Sequence, residues 1–525
     1  MKNSITRNDW SVLILLFAIL IGAFMRFNPT MLAGFPINDG GMFAVMVDDL
    51  RASHYLIPPF TTYNSFNIPF AYPPLGFYFG ALAVDLFKMD AVQALRWTPA
   101  FFALLSVPAF YFLSLRLFRD KYRASLSTLF FALMPRAFSW FVMGGGLTRS
   151  PGQFFMLITL FFVLRLYEEN RRVDIFWAGL FGGLAVMSHP EAAVHTAVSA
   201  ILFWVMFSRK RDSFFRSVFV GVIVFLVSSP WWWMVVSYHG VAPLLNAAQT
   251  GQKLLAVFHL VFFVFTEEPY ATLIAALGLV GVAYRLVRRD YFLPLWMVIP
   301  FFVEGRSAAG PASIPLAMLA AVGLGEVILP ALQASVKDEA ESSQNVSRIE
   351  RNVFLYLLLY LIFSAYQFGF RLSSATLYPG DQDAMRWVSG NTPADSRFLI
   401  LTGTVSVSCD SVMEWFPALT GRQSIVTVQG TEWTLGDGFA AFVKKTGAVQ
   451  ACMYEDAGCL EDEIGDTEYD FVYISKVLRT NNCVPVSEQN TFAYFIESIK
   501  NDEKFDVVYE TDNVLVLKQR ASVGW

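Results

Sequence analysis

The chain has 525 residues, of which 55% are hydrophobic and 16% are charged. Soluble globular proteins carry roughly 25% charged residues, and the apolar residues here form long uncharged runs such as 11–25 and 353–363. Such runs are typical of helices that cross a lipid bilayer. The net charge of −4 supplies no basic surface for nucleic acid. The composition excludes a soluble enzyme and a nucleic-acid-binding protein, and it predicts a polytopic α-helical membrane protein.

The first apolar run follows Lys2 and Arg7, as in a secretory signal peptide. No cleavage site with small residues follows it, because the chain continues FMRFNPTML. We therefore expect this run to be retained as the first membrane span.

Clusters of arginine and lysine between the apolar runs predict the topology, because loops rich in these residues stay in the cytoplasm. Placing every cluster on the cytoplasmic side predicts about eleven spans of membrane-crossing length. It also predicts a cytoplasmic N-terminus and an extracytoplasmic C-terminal part for a protein of the cell membrane. The clusters are Arg116/Arg119/Lys121/Arg123, Arg165/Arg171/Arg172, Arg209/Lys210/Arg211/Arg216 and Arg285/Arg288/Arg289. The predicted spans are 11–26, 97–115, 124–142, 152–168, 175–188, 192–208, 214–230, 271–287, 291–304, 312–330 and 353–370.

Two further apolar stretches, 69–87 and 254–265, do not fit this topology as full spans. Counting both would place the four-cation loop at 116–123 outside the cell. We therefore predict that they form interfacial or re-entrant helices on the outer face.

Two domains are predicted. Residues 1–370 form the membrane domain, with a large outer loop at 27–96 and a polar cytoplasmic linker at 331–352, so the sequon at Asn345 is not expected to be glycosylated. Beyond the last span, β-rich runs alternate with helical stretches, which predicts an extracytoplasmic α/β domain at 371–525. The β-rich runs are Arg397–Thr402, Ser424–Val428, Asp470–Ser475, Asp506–Tyr509 and Val514–Lys518, the last two forming a hairpin.

All four cysteines lie in the predicted C-terminal domain, at Cys409, Cys452, Cys459 and Cys483. This distribution suits an oxidising compartment and up to two disulfides, for which the sequence leaves three pairings open. Free buried cysteines are an equally ordinary outcome. Zinc binding is disfavoured, because no C-x-x-C spacing occurs.

The first outer loop contains Asp39 in the motif NDGG, ahead of a helix predicted from 42 to 54. A carboxylate at this place is commonly a helix cap, and spacing alone favours that interpretation. The alternative is a general base or a metal ligand that faces a cavity at membrane level. Asp48 and Asp49 are expected on a solvated face of the same helix.

The second and third outer loops also carry polar groups. MGGGLTRSPGQ places Arg149 at a helix start after three glycines, which is either a phosphate cradle or a snorkelling arginine. SHPEAAVHT carries His189, Glu191 and His195, and their spacing matches no strong metal signature. We expect these three side chains to line a water-filled cavity.

Two late loops complete the set of candidate residues. FTEEPY places Glu267 and Glu268 ahead of a span, and FFVEGRSAAGP places Glu304 and Arg306 on an outer loop. Arg306 is a second candidate for a lipid phosphate, and Glu304 is either its ion-pair partner or a cavity residue.

In this order, the motifs resemble those of the polytopic glycosyltransferases of the C superfamily (GT-C), which use polyprenyl- or dolichyl-phosphate sugars. The group includes protein O-mannosyltransferases, aminoarabinose transferases and the catalytic subunit of oligosaccharyltransferase. NDGGMFAVMVDDLR resembles the segment with the catalytic acid, and YPPLGFYF from Tyr72 resembles a later element of the same loop. TEEP and EGRSAAGP resemble a glutamate loop and a segment with a phosphate-binding arginine. The resemblance covers residues 1 to about 330.

The resemblance implies an inverting transfer of sugar from a polyprenyl-phosphate donor in the membrane lipid to an extracytoplasmic acceptor, without nucleic acid. The implied catalytic residues are Asp39, Glu191 and Glu267, with Asp39 as the general base. Arg149 and Arg306 are expected to bind the carrier phosphate. The substrate cavity is expected to be lined by Asn38, Tyr72, His189, His195 and Glu304. No cofactor is predicted, although a divalent cation at Asp39 and Glu267 stays open.

Two departures from the family pattern limit what the resemblance implies. The second outer loop has Arg149 where oligosaccharyltransferases carry an acidic pair for metal, and the C-terminal part has EWFPALTGR, from Glu414, instead of WWD. A sequon-reading oligosaccharyltransferase is therefore disfavoured. A transporter or flippase of lipid-linked sugars and a non-catalytic membrane sensor remain the alternatives.

Overall fold

The computed structural model describes residues 7–248, 258, 260, 264–337, 343–407, 410–476 and 492–520. Its N-terminal part is helical. The helices are α1 (Arg7–Ala33), α2 (Gly41–Ala52), α3 (Leu75–Phe87), α4 (Ala91–Phe118), α5 (Lys121–Leu133), α6 (Ser139–Val142), α7 (Gly146–Glu169), α8 (Val173–Ser188), α9 (Pro190–Phe207), α10 (Arg211–His239), α11 (Ala242–Ala248), α12 (Leu273–Val287), α13 (Phe292–Val303), α14 (Ala309–Val322), α15 (Leu329–Lys337) and α16 (Ser343–Ser373). A π-helical segment, Gly323–Ile328, joins α14 to α15.

Within the described ranges, seven helices are long and apolar enough to cross a membrane, and they coincide with seven of the predicted spans. These helices are Asp9–Ala33, Ala91–Phe118, Gly146–Glu169, Pro190–Phe207, Arg211–His239, Ala309–Ala334 and Arg351–Ser373. The predicted spans at 175–188, 271–287 and 291–304 form α8, α12 and α13, which have 16, 15 and 12 residues. A full span needs about 20 residues, so the count of eleven stays a prediction.

The predicted span at 124–142 is not a single continuous helix. Helix α5 ends at Leu133, and the segment Pro135–Val142 continues at an angle of 88°. Pro135 has no N–H to donate to α5, and a proline pushes the residue before it out of the helical region; Met134 is extended, with ψ 119°. The break directs residues 135–142 across the end of the bundle, where they contribute to the site described below.

Arg26 holds three helices together at this break. Its fully buried side chain donates from Nε to the carbonyl of Ala103 on α4 (3.0 Å) and from Nη1 to that of Ala132 on α5 (3.1 Å). The last carbonyls of a helix lack partners in their own helix and carry partial negative charge. A guanidinium from α1 therefore satisfies the end of α5.

The four predicted cation clusters lie at one end of the bundle, as the topology requires. Arginines from different clusters bind the same two places, the C-terminal end of α7 and the π-helical segment. The contacts are Arg116–Glu168, Arg216–Asn170, Arg123–Glu326 and Arg285–Glu326. The beginnings of α4 and α7 lie at the opposite end of the bundle, together with α2 and α3.

The first loop contains both predicted helices. Helix α2 matches the helix expected at 42–54, and α3, within the stretch 69–87, has 13 residues, fewer than a span needs. The stretch 254–265 lies mostly outside the described residues, as does 338–342 of the predicted linker.

The expected solvated face of α2 is confirmed for Asp48 and wrong for Asp49. Asp48 is exposed and pairs with Arg51. Asp49 is buried, and its carboxylate accepts from the hydroxyls of Thr61 and Thr62 at 2.6 Å. This residue therefore anchors the loop that follows α2.

The C-terminal part is an α/β domain built on one five-stranded sheet. Its helices are α17 (Pro379–Asn391), α18 (Ser411–Thr420), α19 (Glu432–Leu435), α20 (Phe439–Ala451), α21 (Ala457–Ile464) and α22 (Ala493–Lys500). Its strands are β1 (Arg397–Leu401), β2 (Gln423–Ser424), β3 (Phe471–Ser475), β4 (Phe505–Glu510) and β5 (Val514–Gln519), in the order β2-β1-β3-β5-β4. Strand β1 pairs in parallel with β2 and β3, and β5 pairs antiparallel with β3 and β4.

The predicted hairpin is confirmed as β4 and β5. The predicted strand Ser424–Val428 is shorter than expected, because β2 is an edge strand whose chain leaves the sheet after Ser424, and Thr427 donates instead to the carbonyl of Met413 (2.7 Å). One disulfide joins Cys452 and Cys459. Cys409 and Cys483 lie outside the described residues.

Candidate active site

Asp39 lies in the turn between α1 and α2 and faces the start of α7. Its Oδ1 accepts from the main-chain N–H of Gly145 (2.8 Å), and its Oδ2 accepts from Nη2 of Arg149 (3.1 Å). The interpretation of Asp39 as a cap of α2 is wrong, because Gly40 is the N-cap residue and the Asp39 carboxylate accepts from Gly145 and Arg149 instead. The carboxylate remains 21% exposed, so it is within reach of solvent and of a substrate.

Glycines allow the two chain segments to approach closely. Gly40 has a φ of +124°, which side-chain-bearing residues rarely adopt. A Cβ on Gly144 would overlap the carbonyl oxygen of Asp39, and one on Gly145 would overlap its carboxylate. The motifs NDGG and MGGGLTR are therefore the two halves of a single turn-to-turn contact.

Arg149 links Asp39 to a neighbouring aromatic residue. Its guanidinium lies over the ring of Trp140, with 5.5 Å between Cζ and the ring centroid, and Arg136 lies 5.3 Å from the same ring. Trp140 in turn donates from Nε1 to Oε1 of Glu267 (3.0 Å). The TEEP loop therefore reaches the same site as Asp39.

Glu267, predicted to be catalytic, is held by three donors from the segment after the break at Pro135. Its carboxylate accepts from Arg136 Nη1 (2.7 Å), from Trp140 Nε1 and from the hydroxyl of Ser139. The sequence analysis missed Arg136 and Trp140, because it placed them inside a continuous span. The signal available was the polar content of PRAFSW, in which a proline is followed by arginine and serine within an apolar run.

The pair of Arg136 and Glu267 is expected to stabilise the site. Arg136 is 14% and Glu267 25% exposed, and leaving a partly buried charged donor without its acceptor costs about 1–3 kcal/mol. Glu267→Gln should therefore lower the thermal unfolding temperature in detergent, and Arg136→Gln in the same chain should restore part of the loss.

The matched control is Glu461→Gln, which removes an exposed pair with Lys504. It should change the free energy of unfolding by less than about 1 kcal/mol. A double variant no more stable than Glu267→Gln alone would contradict the pairing.

His189, Glu191 and Arg306 form a second group beside the first. Nδ1 of His189 lies 3.8 Å from Glu191, and Nε of Arg306 lies 3.9 Å from the other oxygen of the same carboxylate. Burial lowers the pKa of His189 to about 4; Glu191 opposes this shift, and the charges of Arg149 and Arg306 add to it. The imidazole is therefore neutral at neutral pH, and it lies within the field of both predicted phosphate-binding arginines.

Glu304 and His195 extend this group towards α14. Oε2 of Glu304 accepts from the N–H of Ser307 (2.9 Å) and lies 3.8 Å from Nε2 of His195. The hydroxyl of Ser307 is 3.0 Å from the same imidazole nitrogen. Burial acts to raise the pKa of Glu304, but the hydrogen bonds with His195 and Ser307 outweigh it and lower the pKa to about 2. Glu304 is therefore an ionised, well-anchored carboxylate.

Asn38 and Tyr72, predicted to line the cavity, form the wall nearest the C-terminal domain. Asn38 has a φ of +58°, and its carbonyl accepts from Nε1 of Trp415 (3.1 Å). The ring of Tyr72 packs 5.9 Å from Trp433 and 6.0 Å from His189. Burial raises the pKa of Tyr72 to about 12, against the charge of Arg149, so its phenol stays protonated.

Glu414 is a buried carboxylate of this site that the sequence analysis left uninterpreted. It lies on α18, and its Oε1 accepts from the N–H of Gly40 (2.7 Å), next to Asp39. Oε2 accepts from Nε2 of Gln429 (3.3 Å). Burial, and then the charge of Asp39, raise the pKa of Glu414 to about 8. The motif EWFPALTGR thus brings an acid from the C-terminal domain to the catalytic turn.

Asp39 and Glu267 were left open as ligands of a divalent cation. Each accepts from a guanidinium, Asp39 from Arg149 and Glu267 from Arg136. Where the chain is described, no group of three or more His, Cys, Asp or Glu side chains is placed to hold an ion.

The predicted residues therefore meet at one end of the bundle. Asp39 and Arg306 lie on the same side, because Arg149, which binds Asp39, and Arg306 both act on the pKa of His189 and of Tyr72. Glu191 and Glu267 remain about a quarter exposed, at 27% and 25%, and Arg306 is 59% exposed. The site is thus a polar, partly accessible cluster of side chains opposite the cation clusters.

Comparisons with known proteins give a partial family match and a shared fold. Residues 71–234 match the family model of dolichyl-phosphate-mannose-protein mannosyltransferases. No curated protein matches the chain in sequence.

Three solved structures share the fold. The oligosaccharyltransferase AglB of Archaeoglobus fulgidus, in complex with an inhibitory peptide and a dolichol-phosphate, aligns with a TM-score of 0.56 at 15% identity, over 90% of this chain and 70% of that one. ArnT of Cupriavidus metallidurans, bound to undecaprenyl phosphate, aligns with a TM-score of 0.56 at 14% identity, over 98% of both chains. The mycobacterial arabinofuranosyltransferase AftD aligns with a TM-score of 0.58 at 13% identity, over 99% of this chain and 40% of that one.

At these identities the likeness establishes the fold. This chain is a polytopic membrane protein with the fold of the C-superfamily (GT-C) glycosyltransferases and a C-terminal α/β domain.

Proposed function

We propose that this protein transfers a sugar from a polyprenyl-phosphate donor in the membrane to an extracytoplasmic acceptor. The observation that supports this most directly is the geometry of Arg149. Its Nη2 binds Asp39, while its buried Nη1 has no hydrogen-bond partner among the described residues. A buried guanidinium N–H without a partner is costly, and a phosphate oxygen would satisfy it. One arginine would then hold the leaving group beside the base.

The reaction is a single displacement that inverts the anomeric centre. The acceptor hydroxyl gives its proton to the carboxylate of Asp39, and its oxygen attacks the anomeric carbon. The bond from that carbon to the phosphate oxygen breaks, and the electron pair leaves with the polyprenyl phosphate. Arg149 and Arg306 stabilise the charge that develops on this phosphate.

The other predicted residues act in this proposal by orienting these groups. Glu191 holds Arg306, and Glu267 holds Trp140, on which Arg149 packs. Neutral His189 lies beside Tyr72 and adds no charge near the two arginines. Glu191 and Glu267 are therefore assigned as positioning residues, although both were predicted as catalytic.

The proposal is tested by lipid analysis and a transfer assay. Mass spectrometry of lipid co-purified with the protein should identify a polyprenyl phosphate. Membranes containing the protein should then transfer labelled sugar from one member of a panel of polyprenyl-phosphate hexoses and pentoses. Transport of these lipids between leaflets without transfer would instead identify a flippase, and no bound polyprenyl lipid together with no transfer would favour a sensor.

Arg306→Ala should mainly weaken use of the lipid donor. The side chain lies at the exposed edge of the site, so its removal should raise the KM for the donor about tenfold, as expected for loss of one charge-assisted contact. Initial rates at varied donor concentration measure this change. Arg386→Ala, which removes an exposed arginine of the C-terminal domain, is the control and should leave KM unchanged; an unaltered KM in Arg306→Ala would contradict the phosphate role.

A further inference from the structure

The turn that carries Asp39 is covered by a helix of the C-terminal domain. Gly41 lies against the main chain of α18, where a Cβ would overlap the carbonyl oxygen of Glu414. The hydroxyl of Tyr63, from the loop after α2, donates to the same carbonyl (2.7 Å). Helix α18 and the loop at 38–63 therefore form a close contact between chain segments more than 350 residues apart.

Two hydrogen bonds from this helix hold the turn on either side of Asp39. Trp415 Nε1 donates to the carbonyl of Asn38, and Gly40 donates its N–H to Oε1 of Glu414. Both residues of α18 are buried. The peptide groups before and after the catalytic carboxylate are thus fixed by the C-terminal domain, while Gly145 and Arg149 fix the carboxylate itself.

We propose that Glu414 is a positioning residue for Asp39, so that the catalytic turn is assembled only when the C-terminal domain is docked on the membrane domain. This inference rests on the proposed function. The physical reason is that Gly40 has a φ of +124° and no side chain of its own to hold it, so its main-chain conformation depends on external partners. Without Glu414 its buried N–H would have none of the acceptors described here.

Glu414→Ala and Glu414→Gln test whether an acceptor oxygen at this position holds the turn. The alanine variant removes the acceptor for Gly40. The glutamine variant keeps an oxygen for Gly40, and its amide can donate to Oε1 of Gln429, which has no partner within the described part of the chain. Glutamine also reproduces the neutral state of Glu414 at neutral pH. Glu468→Ala, at an exposed glutamate of the same domain, is the matched control.

Two measurements on the full-length protein decide the question. We expect Glu414→Ala to lower kcat about tenfold, as loss of a buried hydrogen-bond partner predicts, with the KM for the lipid donor unchanged. Hydrogen exchange of peptides covering 36–44 should accelerate by a similar factor. Glu414→Gln should restore both quantities, and Glu468→Ala should alter neither.

The outcomes separate this inference from the proposed function. Wild-type kcat and exchange in Glu414→Ala would overturn the positioning role, and so would equal losses in Glu414→Ala and Glu414→Gln, which would show that an acceptor oxygen for Gly40 does not hold the turn. If the wild-type protein transfers no sugar, the proposed function fails, and the exchange of residues 36–44 still shows whether Glu414 holds the turn.

Discussion

Asp39→Asn should reduce sugar transfer at least about 100-fold, because general-base catalysis contributes roughly 10²–10⁴ to a rate. Asparagine has the same shape, and its amide oxygen can still accept from the N–H of Gly145, which lies 2.8 Å from Oδ1. It cannot take up the proton of the acceptor hydroxyl. The loss should therefore appear in kcat, with the KM for the donor changed little.

Asp48→Asn is the matched control for this variant. Asp48 lies nine residues further along the same loop and helix, is exposed, and pairs only at the surface with Arg51. The same change of charge there should leave transfer within about twofold of wild type, because surface pairs contribute little. Both variants are compared by initial rates and by thermal unfolding in detergent; if Asp39→Asn is folded and retains the wild-type rate, Asp39 is not the base.

The sequence was sufficient to predict groups that are local in the chain. The long apolar runs predicted the principal helices, and the order of short motifs predicted which loops carry Asp39, Arg149 and Arg306. Placing the arginine clusters together was enough to put these loops at one end, since helices of similar length must alternate direction across a bilayer. The motifs therefore meet because the topology places their loops at one end of the bundle, and no single motif predicts this meeting by itself.

Contacts that depend on distant segments could not be predicted. Helix capping was a reasonable interpretation of Asp39, because a carboxylate two residues before a helix usually caps it. The left-handed conformation of Gly40 instead turns the carboxylate towards Gly145 and Arg149. Nothing in the local sequence specifies this orientation of the Asp39 carboxylate, because its partners Gly145 and Arg149 lie about a hundred residues further along the chain.

Arg136, Trp140 and Glu414 could not be predicted as site residues, because only the fold brings their segments to Asp39. Arg136 and Trp140 reach the site only because the chain turns by 88° after α5, whereas an apolar run is ordinarily continued as one helix. Glu414 belongs to another domain, and a hydrogen bond across 374 residues has no periodicity to reveal it. Side chains that support the catalytic group are therefore the part of this site that required the fold.

Gly144→Ala should abolish transfer nearly as completely as loss of the base. A Cβ at this position would overlap the carbonyl oxygen of Asp39 and lie 2.7 Å from its carbonyl carbon. Both are main-chain atoms and cannot rotate away, so the turn itself must shift. Displacing a catalytic group by about 1 Å can cost 100-fold in rate, and overpacking costs about 1–3 kcal/mol of stability.

Gly221→Ala distinguishes this steric effect from a general sensitivity to glycine replacement. Gly221 lies in α10, and a Cβ there would meet no atom within 4 Å, so transfer and unfolding temperature should stay at the wild-type level. Gly144→Ala should lose about 100-fold in kcat while keeping the bound polyprenyl phosphate. This combination is expected because the two arginines proposed to bind the phosphate lie on α7 and on the loop before α14, whereas the added methyl group displaces the turn of Asp39. A Gly144→Ala protein that transfers sugar at the wild-type rate would show that the contact between the two glycine motifs does not set the position of the base.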